Sequence, residues 1–443
     1  MRRDRVAILA ALAALAACGG PRTAALVVPG EAVEVGLQPK GLQGATYAVL
    51  SQPGGFRVLA VEEERLVLAS FGTDGKRLSS EDLIALKPEL WAADPAMLDS
   101  AIMSGRFQDL PRDVLEACLR AGLSEMARHV HVYGGGLVQA GKGYGIVFGA
   151  RTTLECEEAG SEAALSLERA IVFDATYNRV QDDTSLWIEK LPMDALPALD
   201  GESLRVAWLA EDGVYVGGAG SAPSRAVKFT TTWKVGDPPV HFFVPTPGGA
   251  SMFALGIVER PMETVGQGES YLVLHLMDRA DPSSLTVSRL ALPRHPQAAA
   301  ASWDGSSLGV VLFAEVRKPH AESSATVYRV VYDAKGSQVG GIETVLEWKD
   351  TMGKSYGMLE VVSAWGPGAW AAAVLYDRGW GGLIDLVTVT EAGTRQATHD
   401  MGWQGCEDLR LLPRGDGFIF MWTDKAVRAL MVEPPFGVTT PSP

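Results

Sequence analysis

Short turns rich in Gly, Asp and Pro, each followed by an apolar run, recur along most of this 443-residue chain. In the clearest case, Ser302-Trp303-Asp304-Gly305 precedes the apolar residues 308–313, and a second apolar run over 327–332 ends at another polar turn. Short apolar runs bounded by such residues are typical of β-strands joined by tight turns. The unit starts at seven places: Pro53-Gly54-Gly55, Gly141-Lys142-Gly143, Asp212-Gly213, Pro247-Gly248-Gly249, Asp304-Gly305, Gly366-Pro367-Gly368 and Gly415-Asp416-Gly417.

From Asp212 onward these starts are separated by roughly 35 to 60 residues, near the length of a propeller blade. We therefore predict an all-β fold, a β-propeller of about seven four-stranded blades over residues 47–434; a pair of β-sandwiches is the alternative. The stretch 302–305 resembles the Ser-Pro-Asp-Gly motif of TolB-like and WD40-like propeller blades, with Trp303 in the place of Pro. This resemblance covers one blade, so it implies an architecture and no particular activity.

Residues 79–130 break the repeat. Ser79 with Asp82 matches a helix capping box, and Pro111 precedes apolar residues at helical spacing, namely Val114, Leu115, Cys118 and Leu119. We predict a helical insertion over 79–130, with Cys118 as a buried apolar residue on a helix face.

The N-terminus carries the most specific local signal. Residues 1–5 are basic, residues 6–17 are apolar, and Leu15-Ala16-Ala17-Cys18 follows. An apolar run of this length is typical of a secretory signal rather than a membrane span. The motif resembles the lipobox of bacterial lipoproteins, which implies cleavage before Cys18 and acylation (palmitate among the acyl chains) of its thiol.

The lipoprotein resemblance sets the expected organisation of the chain. Residues 1–17 are the predicted signal peptide, 18–46 a lipidated linker with a candidate ring-closing strand, and 435–443 a Pro-rich tail. We expect an exported protein anchored through Cys18, in the outer membrane because Gly19 rather than Asp follows the cysteine. The side of the membrane stays open.

Composition excludes some partners. The formal net charge of −14 argues against binding to nucleic acid, whose phosphates would be repelled. After Cys18, the cysteines Cys118, Cys156 and Cys406 allow at most one disulfide in an oxidising compartment. Their spacing does not match a zinc site.

Candidate chemistry is sparse. His129 and His131 would share one face of a strand, but no third metal ligand can be assigned. The acidic stretches 155–158 and 182–183 lack the alternating ligands of a calcium loop, so we read them as solvated. We predict no metal, no cofactor and no catalytic residue.

Tryptophan is the most suggestive residue type for binding. Trp370 and Trp422 lie inside strand patterns and are expected in the core, whereas Trp380 and Trp403 lie in Gly-rich stretches. Exposed aromatic side chains in such loops can stack on a sugar or anchor a protein. We predict a lipid-anchored envelope protein that binds or scaffolds a protein or glycan partner. The alternative is an envelope polysaccharide hydrolase or lyase with a site in the propeller channel.

Overall fold

The described residues of the computed structural model form seven antiparallel sheets of four strands. In six of these sheets the strands follow one another in chain order, and the first strand of each sheet packs beside the first strands of its neighbours. The sheets therefore stand as blades around a central channel, which confirms the predicted all-β propeller over the sandwich alternative. The structure describes residues 33–34, 47–91, 99, 109–126, 129–156, 161–188, 191–200, 203–218, 221–229, 239–259, 270–281, 284–316, 323–350, 357–366, 368–377, 382–390, 393–400, 407–414, 417–423 and 427–432.

The blades follow one another along the chain, and the strands of each blade are named from the innermost to the outermost. Blades 1 to 3 consist of β2 (Tyr47–Gln52), β3 (Gly55–Glu62), β4 (Arg65–Gly72) and β5 (Arg77–Ala85); β6 (Val130–Ala140), β7 (Gly143–Cys156), β8 (Ser161–Phe173) and β9 (Arg179–Ile188); and β10 (Asp194–Asp200), β11 (Ser203–Ala210), β12 (Gly213–Gly218) and β13 (Ser221–Lys228). Blades 4 and 5 consist of β14 (His241–Pro245), β15 (Ser251–Glu259), β16 (Ser270–Asp278) and β17 (Leu285–Leu292); and β18 (Ala298–Trp303), β19 (Ser307–Val316), β20 (Ser323–Asp333) and β21 (Gln338–Asp350). Blades 6 and 7 consist of β22 (Gly357–Gly366), β23 (Ala369–Asp377), β24 (Gly382–Thr390) and β25 (Gly393–Asp400); and β26 (Glu407–Arg414), β27 (Gly417–Thr423), β28 (Val427–Val432) and β1 (Val33–Glu34).

Blade 7 combines the two ends of the chain. Its three inner strands come from the C-terminal part, and β1 pairs antiparallel with β28 through Val33 opposite Ala429 and Glu34 opposite Arg428. A strand from the N-terminal part on the last blade ties the first and last blades together, which closes the ring without a seam.

The two ends of the ring differ in what connects the strands. Because every blade is an antiparallel meander starting at the channel, the seven inner strands run in the same direction. We call the end where they begin the start face; it receives the connections between blades and between second and third strands. The opposite end, the turn face, receives the hairpin turns between first and second and between third and fourth strands.

Aspartate side chains fix several hairpin turns of the turn face. Asp333 Oδ1 accepts the backbone N–H groups of Lys335 at 2.9 Å and Ser337 at 2.8 Å, between β20 and β21. Asp174 makes the same pair of bonds to Thr176 and Asn178 at 2.8 and 3.0 Å. Asp side chains stabilise turns in this way because they satisfy backbone donors that the sheet leaves unpaired.

Six of the seven predicted turn-and-strand starts lie at the hairpin between the first and second strands of a blade, and one does not. Asp212-Gly213 joins β11 to β12, the second and third strands of blade 3. The hairpin between the first and second strands and the hairpin between the second and third strands use the same turn residues, Gly, Asp and Pro, so the sequence does not distinguish them.

The core lies between neighbouring blades, where alternate side chains of adjacent sheets pack face to face. Between blades 5 and 6 the packing joins Val311 and Val327 to Trp370, Val374 and Val387, all buried. Trp370 is 0% and Trp422 3% exposed, which confirms both as core residues.

The structure describes part of the segment between blades 1 and 2, and this segment begins with a strand. The strand β5 occupies its beginning, so Ser79 and Asp82 lie in a sheet and not in a helix cap, and that part of the predicted insertion is wrong. A 3₁₀ turn, Pro88–Trp91, and the helix α1, Arg112–Met126, follow. None of the helices in the described part of the chain combines the length and apolar character of a membrane span.

Helix α1 packs on the hairpin β7–β8. Leu115 and Leu119 are fully buried and share a core cluster with Leu154 and Leu165 of the hairpin. Cys118 lies on the helix face that packs against this cluster, as predicted, and is partly buried there. The sequence left open whether it forms a disulfide; in the structure it is bonded to Cys156 of β7, with the two Cα atoms 5.6 Å apart. The pair could not be chosen from the sequence, where the two residues are separated by 38 positions.

Candidate functional site

Polar side chains from the inner strands of four blades, and the backbone of a fifth, form a cluster beside the channel at the start face. We call Tyr47, Asp194, Glu360 and Arg410, together with the backbone at Gly134, the channel cluster. They belong to β2, β10, β22, β26 and β6, respectively. A site drawn from several blades depends on closure of the whole ring.

A bulge in β26 places Arg410 in this cluster. The pairing of β26 with β27 shifts register between Glu407 and Arg410, and Asp408 adopts a left-handed backbone with φ 53°. Two contacts satisfy the backbone groups of the bulge: Glu360 Oε2 accepts the N–H of Leu409 at 2.7 Å, and the hydroxyl of Tyr47 donates to the Asp408 carbonyl at 2.6 Å. A non-glycine residue persists in this conformation only where the surroundings stabilise it.

The guanidinium of Arg410 is held from several sides. Its Nη1 donates to the Leu409 carbonyl at 2.8 Å and lies 3.6 Å from Glu360 Oε1. Its Cζ lies 5.6 Å from the centre of the Tyr47 ring, within the range of a cation–π contact. The group also lies against Gly134, where a side chain would collide with it.

Irregular pairing recurs in the inner strands around Arg410. The pairing of β6 with β7 shifts between Val132 and Leu137, a stretch that includes Gly134, and the pairing of β22 with β23 shifts next to Glu360. Bulges redirect side chains and are over-represented beside functional sites. In this ring they accompany side chains that lie in the channel.

Two carboxyl groups of the channel cluster have raised pKa values. Burial raises the pKa of Asp194 from 3.8 to about 6, although the backbone N–H of Ala195 and the charge of Arg410 oppose the shift. Burial likewise raises the pKa of Glu360, against the opposing effects of Arg410 and the Leu409 N–H. Both side chains are half-buried, so solvent in the channel still reaches them. The cluster therefore offers a fixed donor, Arg410, beside two carboxyl groups with raised pKa values, of which Asp194 takes up a proton near pH 6.

A second polar group, which we call the buried cluster, lies in blade 2 and contacts blade 3. It consists of His131, Tyr133, Arg151, Ser166 and Glu168. Ser166 Oγ donates to Glu168 Oε1 at 2.6 Å, and the Glu168 carboxylate lies flat over Gly149, the residue paired with it on β7. Arg151 Nη2 donates to the carbonyl of Pro192, in the connection from blade 2 to blade 3.

The buried cluster is closed rather than open to a ligand. Glu168 is 1% exposed, and its Oε2 as well as the Nε2 of His131 are shielded from solvent. Burial, with the charge of Arg151, lowers the pKa of His131 to about 3, so its ring is neutral at pH 7. The 3.7 Å approach of His131 Nε2 to Glu168 Oε1 is therefore not an ion pair. Burial also raises the pKa of Glu168. We interpret the buried cluster as support for the channel wall.

Several residues singled out from the sequence do not come together in the structure. His129 is exposed before β6 while His131 is partly buried, and among the described residues no group of three or more His, Cys, Asp or Glu could hold a metal ion. Asp182 pairs with Arg169 and Arg179 on blade 2. Cys18, Trp380 and Trp403 lie outside the described residues.

A serine motif in the hairpin of blade 5 is not a catalytic site. Gly305-Ser306-Ser307-Leu308-Gly309 matches the Gly-x-Ser-x-Gly pattern of serine hydrolases, a match missed among the candidates drawn from the sequence. That pattern works at a turn from a strand into a helix, whereas Ser307 begins β19 within a hairpin. A second match at residues 353–357 includes Ser355, which lies outside the described residues.

The charged members of the channel cluster carry no local sequence signal. Glu360, Arg410 and Asp194 sit in otherwise ordinary strand patterns, far apart along the chain. The run Gly134-Gly135-Gly136 was the one visible sign, because a Gly run inside a strand indicates a bulge or a close approach.

Comparisons with known proteins identify no family. No protein-family model matches the chain, and no curated protein matches its sequence. Solved structures with a similar course of the chain include the extracellular domains 1–2 of Drosophila semaphorin 1a (9% identity, 94% of this chain and 89% of that chain, TM-score 0.43). Others are the Aleuria aurantia lectin (12%, 81% and 96%, 0.37) and a DUF4221 family member from Bacteroides vulgatus (8%, 92% and 97%, 0.35). Similarity at this level carries no argument about function.

Proposed function

We propose that this protein is an exported, lipid-anchored binding module of the bacterial cell envelope that holds a protein or glycan partner at the start face of its propeller. The observation that carries the proposal is the convergence of five inner strands on Arg410 and Glu360 at that face. Binding residues commonly lie on loops and strand ends that a rigid scaffold positions.

The sequences of the connections between strands also favour the start face as the binding surface. Three tryptophans outside the described strands, Trp233, Trp380 and Trp403, belong by sequence to connections of the start face. Trp91 belongs to another of these connections, but it is fully buried against Phe148 and cannot contact a partner. The turns of the turn face contain no tryptophan in their sequences, and Trp303, which ends β18 there, is partly buried and donates its Nε1–H to the Pro247 carbonyl. Since aromatic side chains dominate binding energies at interfaces, the tryptophan-bearing connections favour the start face as the binding surface. Trp380 and Trp403 stay predicted binding residues; the strand before each of their loops ends at that face, and the strand after it begins there.

Two observations support export and lipid attachment. The first is the lipobox at Leu15-Ala16-Ala17-Cys18. The second is the disulfide between Cys118 and Cys156, because such bonds form and persist in oxidising compartments outside the cytoplasm. A Cys18→Ala variant tests this half of the proposal. We expect loss of the acyl mass and of membrane fractionation, and an unchanged mass and fractionation would contradict it.

The binding half is tested by photo-crosslinking in cells. A photoreactive residue replaces Glu64, exposed at the start face between β3 and β4, or Lys142, exposed at the turn face between β6 and β7. We expect a specific adduct from position 64 that disappears when Arg410→Ala is added. Equal adducts from both positions, or an adduct that Arg410→Ala leaves intact, would contradict a site at the start face.

A polysaccharide hydrolase is the second candidate, favoured by one observation. Asp194, whose pKa burial raises to about 6, and Glu360, whose pKa is also raised, lie in the same channel cluster. A general acid works best when its pKa is near the operating pH. If the candidate is correct, the protein releases reducing ends from envelope polysaccharide, and Asp194→Asn and Glu360→Gln each abolish this release. Absence of release by the unaltered protein contradicts it.

A further inference from the structure

The direction of β1 determines from which side the N-terminal segment reaches the ring. In blade 7 the strand order is β1-β28-β27-β26, with every neighbouring pair antiparallel. The inner strand β26 runs from the start face to the turn face, so β28 does the same and β1 runs the opposite way. The register agrees, since passing from Val33 to Glu34 moves the partner from Ala429 back to Arg428, toward the beginning of β28. The chain therefore enters β1 from the turn-face side.

We propose that the turn face is the membrane-proximal side of the anchored protein and the start face the free interaction surface, directed away from the lipid. The inference rests on the lipid attachment at Cys18 proposed above, and it adds an orientation that attachment alone does not give.

The segment between Cys18 and β1, which we call the tether, determines by its length how strongly the turn face is held toward the membrane. Residues 19–32 lie between Cys18 and β1, and fully extended they reach about 50 Å. A blade is roughly 20–25 Å from face to face, given strands of six to eight residues. To point the start face at the membrane, the tether would have to run back along the outer edge of blade 7 through that thickness. This uses about half of its reach and costs chain entropy.

The orientation agrees with the chemistry of the two faces. The described turns of the turn face carry aspartates such as Asp74, Asp174 and Asp333 beside single lysines such as Lys76 and Lys335, so they form no basic cluster that would adhere to anionic lipid headgroups. The turn face is therefore held near the membrane by the tether and not by adhesion. The channel cluster, at the other end of the ring, stays accessible to a partner.

Site-specific fluorescence quenching on the lipidated protein in liposomes tests the orientation. A dye on an unnatural amino acid replaces either Lys76, exposed in the turn between β4 and β5, or Glu64, exposed between β3 and β4. Both positions belong to blade 1, so they differ mainly in the face on which they lie. The liposomes contain a lipid with a quencher on its headgroup.

We expect the dye at position 76 to be quenched at least twofold more strongly than the dye at position 64. A Gly-Ser insertion between Gly20 and Pro21 that doubles the tether is expected to reduce the difference. Equal quenching, or stronger quenching at position 64, overturns the orientation while leaving lipid attachment intact. If neither dye is quenched and the protein does not sediment with liposomes, both the orientation and the proposed anchor are overturned.

Discussion

The carboxylate of Glu360 accepts the backbone N–H of Leu409 at 2.7 Å, across the boundary between blades 6 and 7. The same side chain lies 3.6 Å from Nη1 of Arg410 through its other oxygen. Glu360 of blade 6 thus accepts a backbone N–H that the bulge in blade 7 leaves unpaired in its sheet. It also orients the guanidinium of Arg410, which the bulge places beside the channel. The arrangement of the site depends on this link between two inner strands.

Replacing Glu360 is expected to loosen the bulge. Glu360→Ala leaves the N–H of Leu409 without its partner, which we expect to lower the free energy of unfolding by about 1–3 kcal/mol. Asp82→Ala is the control, because it removes an ion pair with Arg65 whose side chains are more than half exposed and is expected to cost less than about 1 kcal/mol. Chemical denaturation of both variants measures the difference, and equal costs would argue against a special role for Glu360.

The raised pKa of Asp194 predicts a specific pH dependence. A carboxyl group whose pKa is higher in the folded state, about 6 instead of 3.8, binds its proton more tightly when folded. Its contribution to stability is therefore present at low pH and is lost as the pH rises from about 4 to about 6. We expect the difference in unfolding free energy between the unaltered protein and Asp194→Asn to change across this window. A constant difference from pH 4 to pH 7 contradicts the assignment.

Gly149 is predicted to be required because the carboxylate of Glu168 occupies the space of its missing side chain. Gly149→Ala forces the two groups apart, and overpacking of this kind costs about 1–3 kcal/mol. In a Glu168→Ala background the same change is expected to cost less, which a double-mutant cycle measures. Gly341→Ala is the matched control, since an added Cβ there meets nothing within 4 Å. Additivity of the two changes would be inconsistent with the contact.

The disulfide is predicted to stabilise the packing of α1 on blade 2. The bond closes a loop with a sequence separation of 38, and a loss of about 2–4 kcal/mol is expected for the Cys118→Ser/Cys156→Ser variant. Thermal unfolding with and without reductant measures the effect. The unaltered protein should melt at a lower temperature under reduction, whereas the double variant should not respond. Identical melting of the unaltered protein in both conditions would show that the bond does not form.

The architecture was predictable from the sequence because its signals are local. Gly in positive-φ turns, such as Gly54 and Gly305, and strands of alternating apolar residues recur in each blade. Each blade therefore provides the same local evidence for a turn followed by a strand. The predicted helical start at Ser79 and Asp82 was wrong, since these residues satisfy a capping pattern that also fits an exposed outer strand. Sheet pairing overrode the local preference there.

The candidate site was not predictable for the opposite reason. Arg410 meets Glu360, Tyr47 and Gly134 only because the ring closes, and residue pairs such as Tyr47 and Asp408 are 361 positions apart in the chain. No window of sequence contains such a contact. The bulges that position these side chains also break the alternation on which strand prediction depends.

The most direct test of the account is the affinity of the cross-linked partner for the purified protein and two variants, measured by calorimetry at fixed pH and salt. Arg410→Ala removes the centre of the start-face site, and Lys142→Ala removes an exposed charge from the turn face. We expect Arg410→Ala to weaken binding at least about tenfold, the size of an interface hot spot, and Lys142→Ala to bind like the unaltered protein. Unchanged binding by a folded Arg410→Ala variant, or equal losses in both variants, would contradict it.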